Sequence, residues 1–244
     1  MEEIVYLNMV KMECNHWWYK GRREIISKLL NLYLFPNMKI LDAGCGAGGN
    51  MVFLEKYGSV VGIDISPEMV EHCKKIGLMA RRESVTRLSF EDESFDLVLC
   101  LDVLEHLEND QMALEELKRV LRPGGLLLIT VPSFSWLWGR HDELNQHYRR
   151  YDSGALQQIL RSADFQMERS TYFNFFLLPP VWLIRKLGRM FPAFGGKTDF
   201  QFGCGKLNLF FYTVMKLEAV LMDHINLPIG VSQLVVARKK ESLK

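Results

Sequence analysis

What this sequence has little of limits it first. Net charge is almost absent: 30 basic and 29 acidic side chains leave a formal +1 over 244 residues. A dedicated nucleic-acid binder carries a clustered basic excess, so no nucleic-acid partner is expected. The five cysteines, Cys14, Cys45, Cys73, Cys100 and Cys204, lie far apart with no C-x-x-C spacing. That argues against a disulfide framework or a zinc site and makes a reducing compartment the default. No run of about 18–20 apolar residues is present, so no segment reads as a membrane span. Met1-Glu2-Glu3 begins no positively charged, then apolar, leader, so no secretion signal is read there. An intracellular, cytoplasmic protein is the expectation.

Repeats and low-complexity tracts are missing as well. What is present, from about Lys39 to Ala237, is an alternation of short apolar runs with helical patterns. Such alternation marks a parallel sheet covered by helices, an α/β fold. The expected strands are Lys39–Ala43, Val60–Asp64, Leu78–Arg82, Phe95–Leu101, Leu126–Val131, Phe165–Tyr172 and Gly230–Ala237. Ser66-Pro67-Glu68 reads as a helix N-cap, and Asn109 or Asp110 caps another helix. One domain, 1–244, is expected: an N-terminal helical cover (1–36), a cofactor-binding core (37–172), an apolar insertion (173–206), and a final helix and strand (207–244).

The main chemical signal is Leu41-Asp42-Ala43-Gly44-Cys45-Gly46-Ala47-Gly48-Gly49. A strand ends there, a helix begins, and glycines turn the chain where side chains would collide with a ligand lying on the backbone. Asp42 precedes the first glycine, where a carboxylate can meet an ammonium group. Asp64 ends the second strand, where a carboxylate can accept both hydroxyls of a ribose. Gly44, Gly46 and Gly49 also match G-x-G-x-x-G, so the loop alone leaves NAD or FAD open.

The ordered set Ile40–Gly48, Val61-Gly62-Ile63-Asp64-Ile65-Ser66, Phe95–Val98 through Leu104-Glu105-His106-Leu107, and Leu121-Arg122-Pro123-Gly124-Gly125 resembles the class I S-adenosylmethionine-dependent methyltransferases. The resemblance covers about residues 39–131. It implies a Rossmann-like sheet of seven strands in the order 3-2-1-4-5-7-6, with the last strand antiparallel and helices on both faces. It further implies S-adenosylmethionine as cofactor. Gly44, Cys45, Gly46 and Gly48 would wrap its methionine part and Asp42 would support its amine side. Asp64 would hold the ribose, Ile65 and Met69 would flank the adenine, and the Leu101 carbonyl would meet the methionyl amine. His106 would lie near the methyl group. One departure stands out: where the family places an acid for the adenine amino group, this chain has Ser84, with the Val85 backbone beside it.

Methyl transfer is an in-line displacement that needs orientation more than a fixed catalytic motif. A general base helps a hydroxyl acceptor, and His106, His141 and His147 are the candidates. The segment Trp136 to Tyr151 follows the fifth strand and is dense in groups that accept protons or bind anions. Trp138, Asp142, Tyr148, Arg149 and Arg150 are therefore expected at the acceptor, the two arginines on a phosphate or carboxylate. The bland alternative is a network that merely orders the loop. No metal is expected, since His141 and His147 lack i, i+4 spacing. Tyr19 and Arg22 could close over the cofactor carboxylate, or their helix could simply be pinned to the core.

The His141 segment, the N-terminal pattern around Trp17 and the ending Leu227–Ser232 resemble, more loosely, a bacterial subgroup found with glycosyltransferase and lipid-carrier pathways. That implies a small-molecule or lipid- or sugar-linked acceptor, methylated on O or N. Phe173 to Ile184 is nearly all apolar and is followed by Arg185, Lys186 and Arg189. Residues 173–189 could therefore lie in a membrane interface at the inner face, or pack as core or dimer surface. The protein is expected as a monomer or homodimer. Two rivals remain at this level: an NAD- or FAD-dependent oxidoreductase, and an inactive cofactor-binding homologue.

Overall fold

A computed structural model describes residues 10, 12–13, 15–33, 35–190 and 206–241. Residues 191–205 of the expected insertion lie outside them, as do residues 1–9. The elements follow in order: α1 (Trp17–Leu30), β1 (Met38–Ala43), α2 (Gly49–Leu54), β2 (Gly58–Asp64), α3 (Pro67–Lys75), β3 (Ala80–Arg82) and β4 (Phe95–Leu101). Then come α4 (Asp110–Val120), β5 (Leu121–Pro132), α5 (Arg140–Leu144), α6 (Ala155–Ser162), β6 (Phe165–Phe173), α7 (Leu178–Met190), α8 (Lys206–Leu221) and β7 (Ser232–Lys239).

The strands form one sheet in the order β3-β2-β1-β4-β5-β7-β6. β1 to β5 pair in parallel, while β7 runs antiparallel to both β5 and β6. That agrees with the expected topology. It also separates the chain from the dinucleotide-binding order 3-2-1-4-5-6. The oxidoreductase reading loses its structural support here.

Period-two side chains build two apolar layers. Met38, Ile40, Leu97, Leu99, Leu126, Leu128, Leu234 and Val236 face one side, where Ile25, Ile26, Met51 and Met215 from the helices meet them. Leu41, Ala43, Val98, Cys100, Leu127, Ile129 and Val235 face the other, against Ala113, Leu117, Leu156 and Leu160. Both caps on the local signals are observed: Ser66 Oγ accepts from Met69 N and Asn109 Oδ1 from Met112 N. One boundary moves. β5 starts at Leu121 rather than at the expected Leu126, so Pro123-Gly124-Gly125 lies inside the strand.

The cover over the sheet is a pair of helices. α1 packs on α8 so closely at Gly21 that an added Cβ there would collide with Met215. Trp17 N donates to Asn208 Oδ1 at 2.7 Å, Tyr212 Oη donates to Glu24 at 2.9 Å, and Lys28 pairs with Asp223 at 2.6 Å. The N-terminal cover and the helix near the C-terminus thus form one unit, which sequence order had kept apart.

Candidate active site

The C-terminal ends of the parallel strands gather the expected site residues, as an open α/β sheet requires. After β1 the backbone takes positive φ at Gly44 (85°), Gly46 (52°) and Gly48 (84°). Side-chain-bearing residues seldom hold these angles. An added Cβ on Gly44 would also collide with Val103. Asp64 fixes the loop from the neighbouring strand: Oδ2 accepts from Gly46 N at 3.0 Å and Oδ1 from Ser66 N at 2.8 Å. Each oxygen keeps a lone pair for one more donor. Ile65 is 71% exposed just beyond, while Met69 is buried in the first turn of α3. The Ser84 hydroxyl pairs with that of Thr86 at 2.8 Å, next to buried Val85. Cys45 needs a correction: its side chain is core, packed under Gly62, so only its backbone belongs to the loop.

Asp42 is the most informative group. It is fully buried, and among the described residues neither carboxylate oxygen has a hydrogen-bond partner. Burial pushes its pKa up to about 7; Glu13 and Asp64 push the same way, against the pull of Arg22. A buried carboxylate without a donor is costly. A ligand ammonium supplies the missing donor, so the residues present fit the methionyl end of the expected cofactor. Leu101 ends β4 nearby, buried. Arg22 sits 4.4 Å over the Trp18 ring and 5.6 Å over Tyr19, and ion-pairs with Asp102. Its terminal charge is thus already committed within the protein. The Tyr19 phenol is pushed up to about 12, chiefly by burial.

Sequence reasoning missed Glu13. It is buried, accepts from the backbone of Ala47 and Gly49, and lies close to Gly46 and Gly49. Burial pushes its pKa up, while Arg22 opposes. No motif marks it, because its position depends on the chain ahead of α1 folding back onto the glycine loop.

The second half of the edge is built around Asp142. Its carboxylate is fully buried and accepts from Gly139 N at 2.9 Å, His147 Nδ1 at 3.0 Å, Arg150 Nε at 2.8 Å and Arg185 Nη1 at 3.3 Å. Burial alone would raise its pKa, but the His147 hydrogen bond and the two arginines hold it well below the usual carboxylate range. Arg150 is buried and also donates to the Ser133 carbonyl at 2.9 Å. Arg149 is tied to Asp110 at 3.2 Å and to the Glu108 carbonyl at 2.7 Å. Asp142, Arg149 and Arg150 are therefore placed as an ordering network, not as free acceptor contacts. Trp138 gives its carbonyl to Arg189 and Tyr148 keeps an exposed ring.

The three candidate histidines do meet. The His147 ring is 4.6 Å from His106 and 6.0 Å from His141, edge-on to both. Tyr148 N donates to the Glu105 carbonyl at 2.7 Å and locks this loop to the one after β4. Glu105 is buried beside them with Oε2 unpartnered among the described residues. His106 keeps an exposed face, yet the protein around its ring, and then His147, push its pKa below the usual value. Non-glycine residues with positive φ follow three strand ends here: Asp102 (55°), Phe134 (59°) and Asn174 (58°). Strain of this kind gathers at ligand-binding edges.

Comparisons with known proteins agree with this geometry. A family of methyltransferase domains matches residues 41–129. A Mycolicibacterium smegmatis protein named a probable S-adenosylmethionine-dependent methyltransferase is 29% identical over 63% of this chain and 61% of its own length. The 2-methyl-6-phytyl-1,4-hydroquinone methyltransferase of Synechocystis is 31% identical over 51% of this chain and 40% of its own. The chain therefore spans only part of the curated relatives it matches. Its fold is similar to a chain in the complex of the Haloferax volcanii Trm112 methyltransferase activator with a methyltransferase. That match has a TM-score of 0.62 and 18% identity, covering 95% of this chain and 93% of that one. With its sheet order, its glycine loop and an Asp42 that has no hydrogen-bond partner among the described residues, the chain is similar to the class I S-adenosylmethionine-dependent methyltransferases.

Proposed function

We propose that the protein moves a methyl group from S-adenosylmethionine to an oxygen or nitrogen of a small-molecule or lipid- or sugar-linked acceptor. The observation that carries the donor half is Asp42, buried behind the glycine loop with neither oxygen partnered among the described residues. When bound, the cofactor supplies an electrophilic methyl group on a sulfonium. The chain does the rest by placement. Asp42 takes the ammonium, Gly44 to Gly48 bring backbone against the amino-acid end, and Asp64 accepts from the ribose with its remaining lone pairs. Ile65 and Met69 border the adenine side, with Ser84 and Val85 beyond them.

The acceptor enters at the histidine edge. His147 Nδ1 is held by Asp142, which fixes the ring and leaves Nε2 for other partners. His106, His141 and His147 are the candidates for taking the proton of a hydroxyl or amine acceptor. An apolar acceptor is supported by the surface next to this edge. Phe176, Trp182, Leu183 and Leu187 are all exposed, α7 carries Lys186 over Trp182 at 5.0 Å, and no helix among the described residues is long and apolar enough to cross a membrane. Such a face suits a membrane interface or a lipid tail. One relative is named for a phytyl-bearing hydroquinone, a substrate with such a tail.

Calorimetry with S-adenosylhomocysteine and NAD tests the donor half. Binding of the sulfur ligand with no NAD heat is expected; NAD binding without it would overturn the assignment. Flotation with anionic liposomes tests the interface, and a chain that stays with the unbound fraction would remove it.

A further inference from the structure

Glu105, His106 and His147 bring three ligand atoms within 4.8 Å of one another. Among the described residues this is the one such group of histidine, cysteine and carboxylate side chains. Each member is prepared in a different way. The Glu105 carboxylate is 1% exposed with Oε2 unpartnered among the described residues. His147 turns Nδ1 to Asp142 at 3.0 Å, which leaves Nε2 as its coordinating atom. His106 is hydrogen-bonded to the Asn145 backbone, which leaves its other nitrogen. A metal-binding imidazole almost always has its second nitrogen held by a carboxylate or carbonyl, and both rings here do.

We infer that Glu105, His106 and His147 form a binding site for a divalent transition cation at the acceptor edge. Two imidazoles and one carboxylate suit zinc, cobalt, iron or manganese and leave coordination positions open. A cation about 2.0–2.2 Å from each ligand needs them within roughly 4 Å of one another, so small side-chain rotations close the set. The pair weighed in the sequence, His141 with His147, lacks helical spacing. The pair brought together in space is His106 with His147, 41 residues apart by their numbers. They meet because Tyr148 N is fastened to the Glu105 carbonyl.

The inference rests on the methyltransferase reading for its consequence, which is a hydroxyl acceptor. A cation in this place takes the acceptor oxygen as a further ligand and makes its proton easier to lose. In the balanced step the methyl–sulfur bond breaks with its electron pair returning to sulfur. The methyl–oxygen bond forms, and the hydroxyl proton leaves to solvent. An amine acceptor would gain nothing from such a cation, since coordination would occupy the lone pair that attacks.

The full chain, stripped with chelator and titrated with cobalt(II), provides the test, with S-adenosylhomocysteine calorimetry run in parallel. One equivalent of cobalt with visible absorption of an imidazole-ligated ion, displaced by zinc, is expected. His106→Ala, at an exposed position, and Glu105→Gln should each weaken cobalt uptake by at least the roughly 10–100-fold that lost outer-shell partners cost. Their metal-free melting temperatures show that they fold. A wild-type chain that binds S-adenosylhomocysteine but takes up neither cobalt nor zinc overturns the site. So does uptake that both variants leave unchanged. Cobalt uptake without any binding of the sulfur ligand would keep the metal site and remove the methyltransferase reading, so the two failures are separable.

Discussion

The two halves of the strand edge are built on opposite plans. The donor half is local: Asp42, Gly44, Gly46 and Gly48 lie within one turn of chain, and Asp64 closes it from the adjacent strand. It leaves its key carboxylate without a donor among the described residues. The acceptor half is non-local: Asp142 gathers His147, Arg150 and Arg185, and Glu218 of α8 accepts from Phe176 N at 2.9 Å. There most charges are met within the protein. One half is arranged to receive a charged ligand. The other mostly holds its own shape, with Glu105 Oε2 left open beside His106 and His147.

The largest expected effect breaks the second half. Asp142→Ala removes the shared partner of two buried arginines and a histidine. Removing one member of a buried ion pair costs about 3–5 kcal/mol, because the others are left uncompensated. Urea unfolding measures it. A loss under about 1 kcal/mol, the scale of a surface pair, would mean that the acceptor half is not held by this network.

Asp42→Asn should act in two directions at once. Cofactor affinity falls by roughly 10–100-fold, the scale of a lost charge-assisted hydrogen bond at about 1.5–3 kcal/mol. Stability of the ligand-free protein at neutral pH and above rises instead, because a buried, donor-less charge is gone. Calorimetry and thermal melting on the same sample read both. If both fall together, Asp42 is a structural residue and the donor half resembles the acceptor half after all.

Asp42 also sets a pH dependence. Its folded pKa, about 7, lies above the ordinary 3.8. The folded ligand-free protein therefore holds a proton between those values that the unfolded chain has lost. The stability from this group is complete below the unfolded pKa and is lost as pH rises through about 7, at up to about 1.4 kcal/mol per unit. Cofactor binding has the reverse sign, since the ammonium needs the ionised acid. Affinity should drop up to about tenfold per unit below pH 7 and level off above it. Calorimetry in buffers of differing ionisation heat would show proton release at pH 6. An affinity that is flat from pH 6 to 8 would place the ammonium elsewhere.

The contrast also explains what could be read in the chain before its structure. Strand alternation, the Ser66 and Asn109 caps and the glycine turn are consequences of neighbours in sequence, so their residue types announce them. The sheet order came with the motif set rather than from periodicity. The acceptor edge was visible as a dense polar segment, but its roles were not. Whether Arg150 meets a substrate or Asp142 depends on burial, and burial is set by Arg185 of α7 arriving from 43 residues away. Glu13 and the pairing of α1 with α8 escaped for the same reason. Their partners are distant in the chain, and no local pattern encodes a distant partner.

The smallest effect is expected at Arg149, and it discriminates most finely. Its ion pair with Asp110 spans a side chain 36% exposed and one 13% exposed, and its other bond goes to a backbone carbonyl. Partly exposed pairs contribute about 0.2–1 kcal/mol. Arg149→Ala should thus lower stability by no more than that, and Arg149→Lys should recover part of it, since lysine keeps the charge without the planar fork. If Arg149 instead holds an acceptor phosphate, its loss would leave unfolding nearly unchanged and raise KM for a phosphate-bearing acceptor. Its loss would leave KM unchanged for an uncharged one. A KM effect confined to the phosphate-bearing acceptor would return Arg149 to substrate recognition. An unchanged KM with a small stability loss would leave the ordering network intact and move the acceptor's contacts to the exposed Tyr148 and the apolar face of α7.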